Sequence, residues 1–321
     1  MTTAAMSDYE RKVWHAAVER LNNKRDGRLR RIVDQALKPA KNAAGGAWNA
    51  MPGHEGLEEQ ILKALTGLKA VTFDPALRSV NATKVLQRHG VSGAAHLTTL
   101  DLRQLDRGLP GVRSIYTGLA TFEGGASALA VTGAEVSATV SGGVSAAVAG
   151  AAIAVDAVSS MAIMGRIIGQ VAAEYGYDVR EPEEEAYALG VISIGTASTA
   201  AEKAAALSSI RRLTTRMMRR ATWAELNQNA LVKLIDQVFL RLGERLTKRK
   251  LAQAVPVAGV LLNAGLSAQM ADATYRTARD VYRLRFLSEK YGIDPATWSQ
   301  GSAPSDDDIV DKALDELDSA S

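Results

Sequence analysis

The sequence predicts an all-α fold, a multi-helix bundle that contains apolar helical hairpins rich in alanine and glycine. No segment shows the sustained alternation of apolar and polar residues that is typical of strands. Apolar residues instead recur at intervals of three and four, which is the spacing of one helix face. Aromatic residues make up only 5% of the chain, so the core must be built largely from small and aliphatic side chains that pack closely.

The chain divides into three regions by composition. Residues 1–52 are predicted to form basic amphipathic helices, 53–300 a helical core, and 301–321 a linker with an acidic tail. The tail carries seven acids against one lysine, a net charge of −6, which leaves +9 for the rest of a chain whose total is +3. A basic body with an acidic tail favours an anionic partner, or a tail that folds back onto the body.

The N-terminal region begins with a helix expected over 8–21, for which Ser7 is a suitable N-cap. A very basic helix is expected over 28–38, and glycine and proline residues over 45–53 break the pattern. The apolar face of the first helix is predicted to consist of Tyr9, Val13, Ala17 and Leu21.

The first part of the core is predicted to contain several helices of modest length. One is expected over 57–71, and Asp74-Pro75 starts another, because proline suits the first turn of a helix. Residues 84–109 are predicted to form two short helices around His89-Gly90, since glycine is favoured just after a helix end.

The middle of the chain, residues 126–168, is unusually apolar and rich in small residues. Small residues recur there at every fourth position, and such a face lets another helix approach closely. Residues 136–155 form a stretch of about twenty uncharged residues, the length of a bilayer span, and 255–270 is a second segment of this kind. These segments are either close-packed core helices or hairpins that enter or lie on a bilayer. The near absence of leucine and phenylalanine, together with Asp156 and Arg166, favours the core.

Helix boundaries are marked clearly in the C-terminal half. Tyr175-Gly176 predicts a helix end, Glu181-Pro182 predicts a helix start, and Thr199 with Glu202 matches a capping box. An arginine-bearing helix is expected over 275–290. Residues 203–250 carry twelve basic residues against three acids, which predicts a strongly cationic surface.

Short motifs, in their order along the chain, carry a family resemblance. They are Tyr9-Glu10 with Trp14, Asp101-Leu102 to Asp106, Phe122-Glu123-Gly124-Gly125-Ala126, Asp156, Tyr175-Gly176-Tyr177-Asp178, Val255-Pro256-Val257-Ala258-Gly259 with Asn263, Ala278-Arg279 and Arg285-Phe286-Leu287. Their order and spacing resemble the EcsC family over about 9–293. The resemblance implies a bacterial, cytoplasmic, predominantly helical protein, in some cases encoded beside an ABC transporter, which makes a transporter complex a candidate partner. It implies no established catalytic residues.

The sequence lacks the motifs that are typical of several kinds of catalytic and binding site. There is no cysteine, which excludes disulfides and thiol chemistry. No phosphate-binding loop or nucleophile elbow occurs, so no cofactor is predicted. No helix-turn-helix or stacking aromatic platform indicates specific nucleic-acid binding. Histidines never pair at ligand-like spacing, so we predict no metal site and expect surface or helix-capping positions for His15, His54, His89 and His96.

Three carboxylates are the candidates for catalysis: Glu123, Asp156 and Asp178. The first two flank or interrupt apolar helices, where an acid either has a raised pKa or is paired with a base. A hydrolase-type site between apolar helices would use them. No substrate-shaping motif accompanies them, so structural pairing with arginines is favoured and no catalytic residue is predicted.

A run of arginines is the candidate for binding anions, because cations alternate in it with methionine and leucine. Amphipathic basic helices of this type bind anionic lipid surfaces. The leading hypothesis is a non-enzymatic cytoplasmic protein, peripheral at the inner face of the cell membrane. The alternatives are the hydrolase and a soluble interaction scaffold whose acidic tail competes for the basic block. The predicted anion-binding residues are Arg211, Arg212, Arg216, Arg219 and Arg220.

Overall fold

The computed structural model describes residues 6–22, 65–67, 69–111, 145–197, 199–219, 235–243 and 263–298, with backbone only over 145–159 and 263–270. Within these ranges every regular element is helical and none is a strand, which confirms the all-α prediction. The α-helices are α1 (Asp8–Asn22), α2 (Asp74–Arg78), α3 (Ala82–His89), α4 (Ala94–Leu97), α5 (Leu102–Gly108), α6 (Ser145–Glu174), α7 (Pro182–Thr196), α8 (Ala200–Arg219) and α9 (Asn263–Tyr291). A π-helical turn (Lys69–Phe73) precedes α2, a 3₁₀ helix (Pro295–Trp298) follows α9, and 65–67 and 235–243 are also helical.

Helix α9 is the central element, and it packs against α1, α6 and α7. Helix α2 covers α6, while α8 packs against α7 and the 3₁₀ helix. The core between these helices contains Leu189, Tyr282 and Leu287, all of which are fully buried. Helix α7 is buried on all sides from Glu184 to Ile194, which explains why its sequence is a continuous apolar run and not a stripe.

Helix α1 is closed at its N-terminus by a reciprocal capping box. The Ser7 amide donates to Glu10 Oε2 at 2.9 Å, and the Glu10 amide donates to Ser7 Oγ at 3.3 Å. The predicted cap is therefore confirmed, and so are Ala17 and Leu21 of the predicted apolar face, which are buried. Tyr9 and Val13 are half-buried, because the helix rotates to place Trp14 in the core. The buried residues of α1 are Glu10, Trp14, Ala17, Val18 and Leu21.

The helix boundaries marked by glycine, proline and threonine are confirmed. Gly90 (φ 65°) follows α3 and Gly176 (φ 89°) lies just after α6, both in the left-handed region that glycine adopts without strain. Pro182 is the first residue of α7. The Glu202 amide donates to Thr199 Oγ1 at 3.0 Å at the start of α8.

Two predicted segments differ from the structure, and others lie outside the described residues. Residues 84–109 contain three helices, not two, because extended backbone at Gly93 starts α4 and the Asp101 side chain caps the first turn of α5. Of the helix predicted over 57–71, residues 65–67 are α-helical, and 69–73 form the wider π turn. The helix predicted over 28–38 and the acidic tail lie outside the described residues.

The two long helices take up parts of the segments predicted to be small-residue hairpins. Helix α6 includes 145–168 of the first segment, and α9 includes 263–270 of the second together with the helix predicted over 275–290. Among the described residues, none of the helices has both the length and the hydropathy required to cross a bilayer.

Candidate functional site

Helix α8 carries most of the predicted anion-binding residues, and it presents them on one side. Its twenty residues include five basic side chains and one acid. Arg212, Arg216 and Arg219 recur at i, i+4 and i+7 and therefore share a face, which we call the arginine face. In the same half of the helix, Leu213 beside this face and Thr214 opposite it are buried. The helix is thus anchored in the core while three of its arginines share one face.

The members of the predicted arginine run differ in exposure. Arg219 is exposed, whereas Arg212 and Arg216 are half-buried. Arg211 lies beside the arginine face and donates through Nη1 to the carbonyl of Ala296 at 3.5 Å, which links α8 to the 3₁₀ helix. Arg220 lies outside the described residues.

The structure describes the three candidate carboxylates to different extents. Asp178 lies in the loop between α6 and α7, where its carboxylate is 2.5 Å from Arg180 Nη2. The hydrogen bonds from Arg180 and its positive charge hold the pKa of Asp178 below its ordinary value against a smaller opposing effect of burial. Asp156 lies within α6, in the part described only by its backbone, and Glu123 lies outside the described residues. The hydrolase alternative, which would require the three carboxylates to share one cavity, therefore stays a hypothesis.

A deeply buried ion pair is formed by Arg285 of α9 and Glu184 of α7. Two parallel hydrogen bonds, of 2.7 and 2.6 Å, join Arg285 Nη1 and Nη2 to the two carboxylate oxygens of Glu184. Arg285 Nε donates to Glu289 Oε1 at 2.8 Å. The guanidinium also stacks on the rings of Tyr177 and Tyr187, with its Cζ atom 3.9 and 4.6 Å from the ring centroids. One cation is therefore matched by two carboxylates and two aromatic faces.

A cleft of about 650 Å³ opens at this ion pair, between the N-terminus of α7, the C-terminal half of α8 and the C-terminal half of α9. We call it the acidic cleft. Met217 and Met218 form its α8 wall. Burial raises the pKa of Glu184, although Arg285 acts in the opposite direction, and the nearby Glu289 and Glu183 carboxylates raise it further. The charged side chains that line the acidic cleft are Glu181, Glu183, Glu184, Glu289 and Arg285.

A second buried network is centred on Asp106 of α5. Its carboxylate accepts hydrogen bonds from the Tyr9 hydroxyl (2.6 Å), the Tyr175 hydroxyl (2.6 Å) and Arg283 Nε (2.9 Å). Burial raises the pKa of Tyr9 to about 12, and the hydrogen bond to Asp106 adds to this increase. The network joins α1, α5, α6 and α9, so its role is to fix how these helices pack.

A third network corrects the sequence prediction for His89. The side chain of His89 is only 4% exposed, and its Nε2 atom lies 2.5 Å from Oε1 of the fully buried Glu174. Arg88 Nη1 contacts the other oxygen of Glu174 at 2.8 Å and donates to the carbonyl of Gly108. His89 is therefore not a surface or capping residue, because it and Arg88 together satisfy a carboxylate buried at the end of α6.

Comparison with known families matches the chain, over residues 18–287, to the model of the EcsC protein family. The chain belongs to the EcsC protein family. Comparisons with curated proteins and with solved structures found no match. In this EcsC protein, the motifs that carried the resemblance include Asp106, Tyr175, Tyr177 and Arg285, which are members of the buried networks described above.

Sequence reasoning missed the partners that complete these networks. Glu184 follows Pro182 in the first turn of α7, where acids are common for reasons of helix polarity alone. Its partner Arg285 is 101 residues further along the chain. The sequence signal that could have pointed to these buried networks is the run of three glutamates at 183–185, of which two are buried. Burial of several acids in succession could not be read from the sequence without knowing the cations opposite them.

Proposed function

We propose that this EcsC protein catalyses no reaction and binds anionic lipid headgroups through the arginine face of α8. Arg211 beside that face and Arg220 after it would extend the cationic surface. The observation that carries the proposal is the concentration of charge in α8, with five cations and one acid in the helix and three of the cations on one face. Anchoring matters because a fixed helix presents its cations together to a charged surface.

The shape of α8 supports docking onto a surface over insertion into a bilayer. Among the described residues the only large apolar side chain that is exposed is Val71, which belongs to the π-helical turn and not to α8. Affinity would then come mainly from charge, at about 1 kcal/mol for each cation near an anionic membrane. The three arginines of the face would provide about 3 kcal/mol at low salt, and Arg211 and Arg220 would add to this, which is enough for reversible binding. This binding would occur at the cytoplasmic face of the cell membrane, where a transporter complex is a further candidate partner.

Vesicle co-sedimentation tests the proposal. The full-length chain is incubated with vesicles of phosphatidylcholine alone or of phosphatidylcholine with phosphatidylglycerol, at low and high salt. We expect binding that requires the anionic lipid and falls as salt screens the charges. The variant Arg216→Gln/Arg219→Gln/Arg220→Gln loses three cations and should bind about 100-fold more weakly, because each cation contributes about 1 kcal/mol.

A matched control separates the arginine face from net charge. The variant Lys12→Gln/Lys84→Gln/Arg107→Gln removes three exposed cations from α1, α3 and α5 and changes the net charge equally. It should bind within about threefold of the original chain, since salt screens charges beyond about 10 Å. Equal weakening of both variants, or no binding to anionic vesicles at all, would overturn the proposal.

A further inference from the structure

We infer that the acidic tail of this chain, residues 301–321, binds to the arginine face of α8 and competes there with anionic lipid. The inference rests on the proposed function, because it concerns the regulation of the same face. Three properties of the chain support the tail as the occupant: the place where it begins, the distance that it reaches and the spacing of its charges.

The described part of the chain ends beside α8. Its last element, the 3₁₀ helix, packs against α8, and Arg211 donates through Nη1 to the Ala296 carbonyl at 3.5 Å. Trp298 at its end is fully buried. The indole Nε1 of Trp298 donates to Ser288 Oγ at 3.0 Å, and its carbonyl accepts from Asn22 Nδ2 at 2.6 Å. The tail is therefore tethered at a fixed point next to α8.

The tail is long enough to cover the arginine face. Its first acid, Asp306, is eight residues beyond Trp298, and an extended chain of that length spans up to about 26 Å. Along α8, the eight residues from Arg211 to Arg219 take up only about 12 Å. The difference exceeds the diameter of a helix, about 10 Å, so the acids reach the face from either side of α8.

The charges of the tail complement those of α8 in number and in spacing. The tail has a net charge of −6, whereas α8 carries five cations and one acid. The arginines of the face are separated by four residues and then by three. Asp311, Asp315 and Asp318 are separated by the same two intervals. Intervals of three and four mark one face of a helix, so the two sets of charges match in spacing as well as in sign.

The tether makes the tail an effective competitor with lipid. A short linker holds the tail at an effective concentration on the order of 1 mM around the face. Each exposed ion pair is nevertheless weak, and salt screens it. A dense anionic surface therefore displaces the tail, and the tail raises the amount of anionic lipid that binding requires.

Peptide binding tests the contact in the absence of lipid. A fluorescent peptide of residues 301–321 is titrated by anisotropy into a full-length chain whose own tail is neutralised, which we call the tail variant. We expect saturable binding that weakens with salt, and binding at least fivefold weaker to the original chain, whose own tail occupies the face. The substitutions of the tail variant are Asp306→Asn/Asp307→Asn/Asp308→Asn/Asp311→Asn/Asp315→Asn/Asp318→Asn.

Two sets of substitutions, each added to the tail variant, locate the peptide. Arg216→Gln/Arg219→Gln/Arg220→Gln should weaken peptide binding about tenfold, because three ion pairs are lost. The matched set Lys12→Gln/Lys84→Gln/Arg107→Gln should change it by less than about twofold. Equal weakening by the two sets would overturn the inference in favour of a contact set by net charge alone, and so would the absence of peptide binding.

Vesicle co-sedimentation tests the competition. At low salt the tail variant should bind vesicles of phosphatidylcholine with phosphatidylglycerol at least fivefold more tightly than the original chain, and the difference should shrink at high salt.

A smaller change within the tail has a matched control. Asp315→Asn/Asp318→Asn should tighten vesicle binding about threefold. Asp8→Asn/Asp272→Asn removes two carboxylates that are at least half exposed on α1 and α9, and it should leave vesicle binding within about 1.5-fold of the original chain. Circular dichroism of each variant establishes that it is folded.

The tail contact and the proposed function fail separately. Equal vesicle binding by the tail variant and the original chain would overturn the competition. Vesicle binding without peptide binding would overturn the tail contact alone. Peptide binding by a chain that binds no anionic vesicles would establish the tail contact and overturn lipid as the ligand of the arginine face.

Discussion

Arg285 keeps its positive charge inside the protein because carboxylates and aromatic rings surround it. Glu184 and Glu289 accept its hydrogen bonds, while Tyr177 and Tyr187 stack on its faces. The variant Arg285→Met would leave Glu184 buried without a counter-charge. Removing one partner of a buried pair costs about 3–5 kcal/mol, so we expect the free energy of unfolding in urea to fall by that amount.

The exposed pair of Asp178 and Arg180 is the matched control for this prediction. Both side chains are partly open to solvent, at 36% and 61% exposure, so water screens their attraction. We expect Arg180→Met to change the free energy of unfolding by less than about 1 kcal/mol. Equal losses for the two variants would show that burial does not set the strength of the Arg285 interaction.

At the scale of helices, Gly176 ends α6 in a way that no other residue can reproduce without strain. Its φ of 89° is unfavourable for residues with a Cβ atom, and a Cβ placed there would lie 3.0 Å from the carbonyl oxygen of Ala94. Gly90 ends α3 with a similar φ of 65°, but open space surrounds it. We expect Gly90→Ala to cost about 1 kcal/mol from backbone strain, and Gly176→Ala to cost at least about 1 kcal/mol more from the clash. Thermal unfolding of both variants measures the difference, and equal losses would contradict it.

Helix ends could be predicted from the sequence, whereas the partners of buried charges could not. Gly176, Pro182 and the Thr199 cap act through their own backbone and their neighbours in the chain, so local sequence determines them. The acidic cleft brings together helices that are about a hundred residues apart, and only the tertiary fold places Glu184 opposite Arg285. The same limit explains why the four-residue spacing in α1 identifies Ala17 and Leu21 but not Glu10 and Trp14, which the tertiary fold also buries.

For the molecule as a whole, α9 is the element common to the Arg285 and Asp106 networks. Arg283, Arg285 and Lys290 of that helix each bind a carboxylate from α5, α7 or α1. Paired charges of this kind fix how the helices are oriented around the core. Buried ion pairs therefore orient the helices inside the protein, while α8 carries five basic residues and one acid.

The tyrosines of this interior make the stability of the whole protein depend on alkaline pH. Burial raises the pKa of the hydroxyls of Tyr175, Tyr177, Tyr187 and Tyr282 above the ordinary value of 10.0. The folded state therefore holds protons that the unfolded chain loses, so this stabilisation is complete below pH 10 and is lost as pH rises further. Four such groups lower the free energy of unfolding by about 5 kcal/mol per pH unit above pH 10.

Parallel titrations of tyrosinate absorbance and circular dichroism check this expectation. We expect the absorbance of the four buried rings to appear only as the helical signal is lost. The variant Tyr282→Phe provides the control, because the Tyr282 hydroxyl has no hydrogen-bond partner within the described part of the chain. It should leave stability near neutral pH almost unchanged and reduce the alkaline slope by about a quarter, since one of four titrating groups is removed. Ionisation of all four rings while the helical signal stays native would show that they are not sealed from water.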